Sequence, residues 1–320
     1  MYNQAFGLRQ NPFTLTPDPA FLFLTEQHRE ALAGLTYALL QRKGFAVLTG
    51  DAGTGKTTLL SRILRFIPSS RLQFSLIVNP TLTPAEFLEL ALLDFGVTDI
   101  PESKARRLWL LQQLILRGHR EGKVSALIVD EAHKLSHEVL EEIRLLGNFE
   151  DVDQKMLQIL LIGQTELDQT LDRQDLRQLK QRIEVRLSLT PLKPTEVEEY
   201  IRHRWLRAGG TAHPFTAEAI EDIGYASKGI PRVINVVCDS ALMAAFAGGA
   251  SRVADSHIRE AAKDLDLGEL PERRVAAKQA ASPAGKFPRI PVITRVVESA
   301  KSSRWTRRVG RRLTPRHESM

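Results

Sequence analysis

Apolar residues at 31, 32, 35 and 39 put one helical face on residues 28–41. The run 45–48 that follows has no polar interruption, as expected of a strand buried on both faces of a parallel sheet. Residues 57–66 return to helical spacing, with apolar positions at 59, 60, 63, 64 and 66. Further strand-like runs lie at 74–78, 126–129, 159–162 and 185–189, and helical segments between them at about 84–95, 103–121, 136–147 and 165–180. Strands alternating with helices predict a parallel sheet with helices on both faces.

After Pro191 the strand pattern stops. Segments 194–208, 216–227, 230–247 and 255–264 read as helices, with Val197, Tyr200, Ile201, Trp205 and Ala208 on one apolar face. The turn-rich "LTPLKPTE" marks a boundary between an α/β domain and a small all-helical one. The expected organisation is an N-terminal capping segment and helix over 1–44, an α/β core over 45–191, a helical domain over 192–268 and a tail over 269–320. No internal repeat is evident.

Charge changes the picture of the tail. From Pro271 onward 13 Lys/Arg face three acidic residues, a net of +10, so residues 1–270 carry −4 of the chain's overall +6. This last segment is rich in Pro, Ala and Ser, lacks periodicity and reads as disordered. With Trp305 among the arginines of "RWTRRVGRRL", it is a candidate contact for nucleic acid or an anionic membrane, or a solvated tail with no partner. The single cysteine, Cys238, excludes a disulfide framework and a thiolate metal site and suits a reducing cytoplasm. No signal peptide is expected at the N-terminus, and residues 233–250, interrupted by Asn235, Asp239 and Ser240, suit a buried helix better than a membrane span.

The candidate chemistry begins between the strand at 45–48 and the helix at 57–66. "VLTGDAGTGKTTLL" has the spacing of a phosphate-binding loop in the required strand–loop–helix context. Gly50, Asp51, Ala52, Gly53, Thr54, Gly55, Lys56, Thr57 and Thr58 are expected to wrap the phosphates of a nucleoside triphosphate. Glycines let backbone N–H groups turn inward, and the helix N-terminus adds favourable dipole charge. Lys56 would reach the outer phosphates, and the Thr57 hydroxyl would ligate Mg2+.

A second constellation, "SALIVDEAHKL", puts Asp130 and Glu131 at the carboxyl end of a buried strand, 74 residues beyond Lys56. Asp130 would hold magnesium, and Glu131 could polarise an attacking water. A carboxylate beside the phosphoryl group suits a hydrolase, whereas a kinase must exclude water there. Gln164 ends another strand, placed to touch the γ-phosphate or the water. Arg177, Arg182 and Arg186 precede or enter the last strand, and Arg182, with Arg177 as its rival, is a candidate for a neighbouring subunit's nucleotide. Arg232 opens a helix of the small domain, where it opposes the helix macrodipole and would face an anion.

Together Gly50–Thr57, Asp130-Glu131, Gln164, Arg182 and the "GIPR" that ends in Arg232 resemble the Walker A, Walker B, sensor 1, arginine finger and sensor 2 elements of the AAA+ ATPase superfamily. "FGLRQNPFTLTPDPAFLFLTEQHREALAGLTYAL" and the stretches around 144–151, 157–171 and 176–183 resemble more closely the ExeA-like ATPases, also called general secretion pathway protein A. The likeness covers roughly residues 3–265. It implies a P-loop NTPase sheet followed by a helical lid, a homo-oligomer, and residues 11–25 with the helix from His28 closing over the adenine. It also implies ATP hydrolysis coupled to rearranging a protein partner in a secretion, pilus or polysaccharide-export apparatus, in the cytoplasm or peripheral at the inner membrane. Full-length secretion members resemble a fusion with a membrane span and a peptidoglycan-binding domain. Here only the basic tail is expected to follow, and Thr165 stands where proline would. Two other readings are a nucleic-acid-associated regulator resembling the transposition ATPases, and a slow nucleotide-binding switch.

Overall fold

The residues described in the computed structural model are 2–16, 18–151 and 154–271. One contact unit runs Met1–Glu269. The expected basic tail lies, beyond Pro271, outside the described residues.

The strand and helix order follows the hydrophobic pattern: α1 (Glu26–Leu40), β1 (Phe45–Gly50), α2 (Lys56–Phe66), β2 (Leu72–Ile77), α3 (Pro84–Asp94), α4 (Lys104–Arg120), β3 (Val124–Val129), α5 (His137–Leu146), β4 (Leu157–Ile162), α6 (Glu166–Leu171) and β5 (Ile183–Leu189). The five strands form a parallel sheet in the order β2-β3-β4-β1-β5. Every residue of β1, β3 and β4 is buried, which requires cover on both faces and explains their unbroken apolar runs. On one face Val47, Leu127 and Ile159 meet Phe87, Leu92, Ile115, Ile143 and Leu171 from α3 to α6 in a single apolar cluster. Edge strand β5 alternates instead, with Glu184, Arg186 and Ser188 exposed.

Local signals set the helix ends. Thr25 caps α1 by accepting from the His28 N–H, and α3 opens with a reciprocal Thr83–Glu86 capping box and Pro84 at its first position.

The expected helix over 165–180 is instead three pieces: α6, a 3₁₀ turn at Gln174–Leu176 and one turn at Arg177–Lys180. Leu167, Leu171, Leu176 and Leu179 are all buried. In one straight helix at about 100° per residue the second pair would face away from the first, so the chain breaks at Asp172-Arg173 to bring both inward. A short antiparallel ribbon, Glu150–Asp151 with Gln154–Lys155, is too polar and too brief to have left a pattern in the sequence.

Among the described residues four helices follow the sheet: α7 (Pro194–Arg207), α8 (Ala217–Ser227), α9 (Pro231–Ala247) and α10 (Asp255–Asp264). Val197, Tyr200, Ile201, Trp205 and Ala208 are all buried, and α9 buries Ile234, Val237, Cys238, Ala241, Leu242 and Ala245 at helical spacing against α8 and α10. No helix among the described residues is long and apolar enough to cross a membrane.

Candidate nucleotide site

β1 lies between β4 and β5, so the loop after Gly50 emerges where neighbouring strand connections diverge, the usual ligand crevice of an open parallel sheet. Gly50 has φ +151°, and a Cβ there would lie 2.3 Å from the Leu189 carbonyl oxygen of the neighbouring strand. Gly53 has φ +84°, and its Cβ would stand 2.7 Å from Arg232 Cβ. Both positions therefore need glycine for conformation and for closeness.

The loop and the N-terminus of α2 open onto a cavity of about 470 Å³. Its lining joins Ala52 to Thr58 with Glu131, Gln164 and Arg232, from four separate parts of the chain. Lys56 is buried and its Nζ donates to the carbonyl oxygens of Gly50 at 2.6 Å and Asp51 at 2.8 Å. Burial pushes its pKa down, while Glu131, Asp130 and other nearby carboxylates push it up.

The Thr57 hydroxyl donates to Asp130 Oδ2 at 2.8 Å, and the Glu131 N–H donates to Asp130 Oδ1 at 2.9 Å. Asp130 is only 5% exposed; burial raises its pKa, against the pull of these two hydrogen bonds. Among the described residues no group of three or more His, Cys, Asp or Glu could hold a metal ion. One hydroxyl and one buried carboxylate side by side nonetheless fit magnesium, which keeps most of its shell as water and phosphate oxygen. Glu131 itself sits at φ +57°, an unusual conformation for a non-glycine residue, and lines the cavity.

Arg232 enters from α9: Pro231 is at the first helical position, and the Arg232 N–H donates to the Gly53 carbonyl at 3.3 Å. Arg182 is not among these residues. It precedes β5, whose Ile183 pairs with Phe45 at the start of β1, so it lies at the opposite end of the sheet from the loop, about 20 Å away along the strands. Its Nη1 donates to the Arg144 carbonyl at 3.1 Å, at the end of α5. Arg177 is exposed, and Arg186 reaches Asp168 and Asp172.

The N-terminal segment forms another wall. Thr14, Leu15, Phe21, Phe23 and His28 line the cavity together with Tyr200, Arg204 and Asn235. Arg204 is buried against the Phe21 ring, its Cζ 4.9 Å from the centroid, and it donates to the carbonyls of Pro12 and Thr14. Tyr200 donates to Asn235 Oδ1 at 2.9 Å. His28 Nε2 donates to the Thr54 carbonyl at 3.1 Å, and Nδ1 lies 2.7 Å from the Thr25 hydroxyl. Tyr200, Arg204 and Asn235 escaped the sequence reading because their helical spacing signals a buried face equally well. His133, which touches Gln164, was also missed, although it stands two residues from Glu131.

The AAA domain family matches residues 39–171. General secretion pathway protein A of Aeromonas hydrophila is 42% identical over 83% of this chain and 48% of its own length, so the chain spans about half of that relative. The ATP-dependent target DNA activator B of Escherichia phage Mu is 25% identical over 78% of this chain and 75% of its own. Among solved structures, the Aeropyrum pernix ORC2 protein, in ADPNP–ADP complexes, superposes with a TM-score of 0.59 at 19% identity, covering 80% of this chain and 71% of that one.

Proposed function

Because the chain belongs to the AAA+ ATPases and is related to general secretion pathway protein A, we propose that it hydrolyses ATP as an assembly of copies and uses the cycle to rearrange a partner complex. The observation that carries this reading is the Thr57–Asp130 hydrogen bond at the foot of a cavity that Lys56, Glu131, Gln164 and Arg232 also line.

The phosphates would lie along Gly50–Thr58, with Lys56 turning from the loop carbonyls to the outer phosphates. Thr57 and Asp130 would hold a magnesium ion, whose contribution when bound is to neutralise charge building on phosphate oxygens. Glu131 takes the proton of the attacking water as its oxygen bonds to the γ-phosphorus and the bond to the bridging oxygen breaks, leaving ADP with the electron pair. Gln164 orients the water or the γ-phosphate. Arg232 reports phosphate occupancy to the helical lid, proposed to span 192–268 beside a core over 45–191. The adenine would sit between the 1–44 segment and α7 and α9. The partner is proposed to be part of an export or assembly apparatus, met in the cytoplasm or at the inner membrane surface, with the basic residues beyond Pro271 adding an anionic contact.

Arg182 cannot serve its own loop from the far end of the sheet and is proposed to complete the site of a neighbouring copy. Such an arginine is worth roughly 10³–10⁵ in rate in phosphoryl transfer. Glu131→Gln keeps Arg182 but cannot activate water, whereas Arg182→Ala keeps its carboxylate but lends nothing to a neighbour. Each variant alone should be nearly inactive and their mixture should recover part of the turnover. A mixture that forms mixed oligomers yet stays inactive sinks the shared-site reading, and Arg177→Ala would be mixed in the same way.

A further inference from the structure

His133 stands in the turn that follows Glu131, with its side chain only 13% exposed. A Cβ on Gly163 would meet the His133 nitrogen at 3.1 Å, so the end of β4 packs directly on this turn. The Gln164 N–H donates to His133 Nδ1 at 3.3 Å. A backbone N–H can only donate, so Nδ1 is the bare nitrogen and the neutral ring carries its proton on Nε2. That Nε2 lies 3.6 Å from Glu131 Oε2 and 3.3 Å from the side-chain amide of Gln164. An Nε2–H needs acceptors, and the Gln164 amide supplies one when its oxygen takes the inner position, an assignment set by the network.

We propose that His133 is the positioning residue for hydrolysis: its Nε2–H, 3.3 Å from the Gln164 amide and within electrostatic reach of the Glu131 carboxylate at 3.6 Å, orients that carboxylate at the cavity and links it to Gln164, so that water activation and γ-phosphate sensing move together. This rests on the hydrolytic reading of Glu131 given above. The physical need is plain. Glu131 has a flexible side chain that is 37% exposed and also lies 3.8 Å from Nζ of the half-exposed Lys134, a cavity-lining ammonium that competes for it. A base oriented by a third, fixed group is the recurring arrangement where a carboxylate or histidine must meet a reacting proton. The ring is fixed at its other nitrogen by backbone, so any shift of the β4 end on γ-phosphate contact is passed to the carboxylate.

Two substitutions separate the two nitrogens. His133→Gln carries an amide nitrogen to about the position of Nε2 and keeps a donor for Glu131. His133→Asn carries an oxygen to about the position of Nδ1, keeping the acceptor for the Gln164 N–H but losing the donor. Steady-state ATP hydrolysis by the full chain should fall about 10- to 100-fold in kcat for His133→Ala, as for outer groups that orient a reactive ligand, with KM for ATP within about threefold. His133→Gln should restore most of the rate, and His133→Asn should stay near His133→Ala. Equal rates for the Gln and Asn variants, a rise in KM in place of the fall in kcat, or an unimpaired Ala variant would overturn the proposal. If the Ala variant does not fold, the Gln–Asn comparison still decides, because both lose the ring's packing. Glu131→Gln is measured alongside: full turnover there would remove the hydrolytic reading itself, whereas its loss beside an unaffected His133 series would remove only the role of His133.

Discussion

Replacing Asp130 with asparagine should stabilise the nucleotide-free protein while removing its response to magnesium. Asp130 is 5% exposed, and burial is the leading influence on its protonation, so in the absence of a cation it holds a charge that its surroundings only partly compensate. The Lys56 ammonium, which favours the ionised carboxylate, is already committed to the Gly50 and Asp51 carbonyls. Asparagine preserves the geometry: its oxygen can accept from the Glu131 N–H, and its amide can donate to the Thr57 hydroxyl, which rotates to accept. No hydrogen bond is lost and a buried charge is removed; set against the lost attraction to Lys56, the net gain is on the order of 1 kcal/mol. For a unit of this size that is about 2–4 °C in Tm. In the parent, ATP at a hundredfold excess over Kd adds about 2.7 kcal/mol, or about 5–10 °C by the same scaling, and magnesium should enlarge that shift beyond ATP with chelator. The assay is differential scanning of both proteins without ligand, with ATP and chelator, and with ATP and magnesium. A ligand-free variant that melts below the parent, or one that keeps the full magnesium increment, would refute the reasoning.

Two further outcomes follow from the same geometry. Burial lowers the His28 pKa, and its Nδ1 must stay unprotonated to accept from Thr25 while Nε2–H holds the Thr54 carbonyl. Below the unfolded pKa, about 6.5, the unfolded chain binds a proton that the folded one resists. Stability therefore falls as pH drops through that value toward the lower folded pKa. His28→Gln should flatten this acid-side loss in melting curves between about pH 7 and 5, and an unchanged slope would exclude His28 as its source. Removing residues 271–320 should leave basal turnover nearly unchanged, because every residue of the proposed site precedes Asn235 or is Asn235 itself. Any binding of the full chain to DNA or anionic vesicles should fall steeply with salt and be absent from the truncated protein; equal binding by both would put the basic contact elsewhere.

Much of this protein is legible in one dimension. The unbroken runs that became β1, β3 and β4 could be read as doubly covered strands because burial on both faces leaves no polar position to alternate. The candidate phosphate loop could be read because its signal is local: the glycines, Lys56 and Thr57 lie close together along the chain, and their spacing is their geometry. Asp130 and Glu131 were visible for the same reason, as acids at the end of a buried strand. The helices of the C-terminal part were visible through 3.6-residue spacing, and α9 was distinguishable from a membrane span by its interrupting polar residues.

What the tertiary structure alone decided are the meetings between distant segments. That Arg232 comes to rest on Gly53, 179 residues earlier, depends on how α9 docks: its place at a helix start pointed to an anion, whereas the contact with this loop follows only from the packing. Arg204 binding the carbonyls of Pro12 and Thr14 joins α7 to the N-terminal segment, a pairing no spacing rule can express. The break at Asp172-Arg173 appears only when Leu167 and Leu179 must reach the same core. The link from Glu131 through His133 to Gln164 exists only because β4 lies beside β3 in the sheet. Periodicity reports which face of an element is buried, because neighbours along the chain share that burial. It carries no record of which other face it meets, because that contact is set by packing and loop closure among segments far apart in sequence.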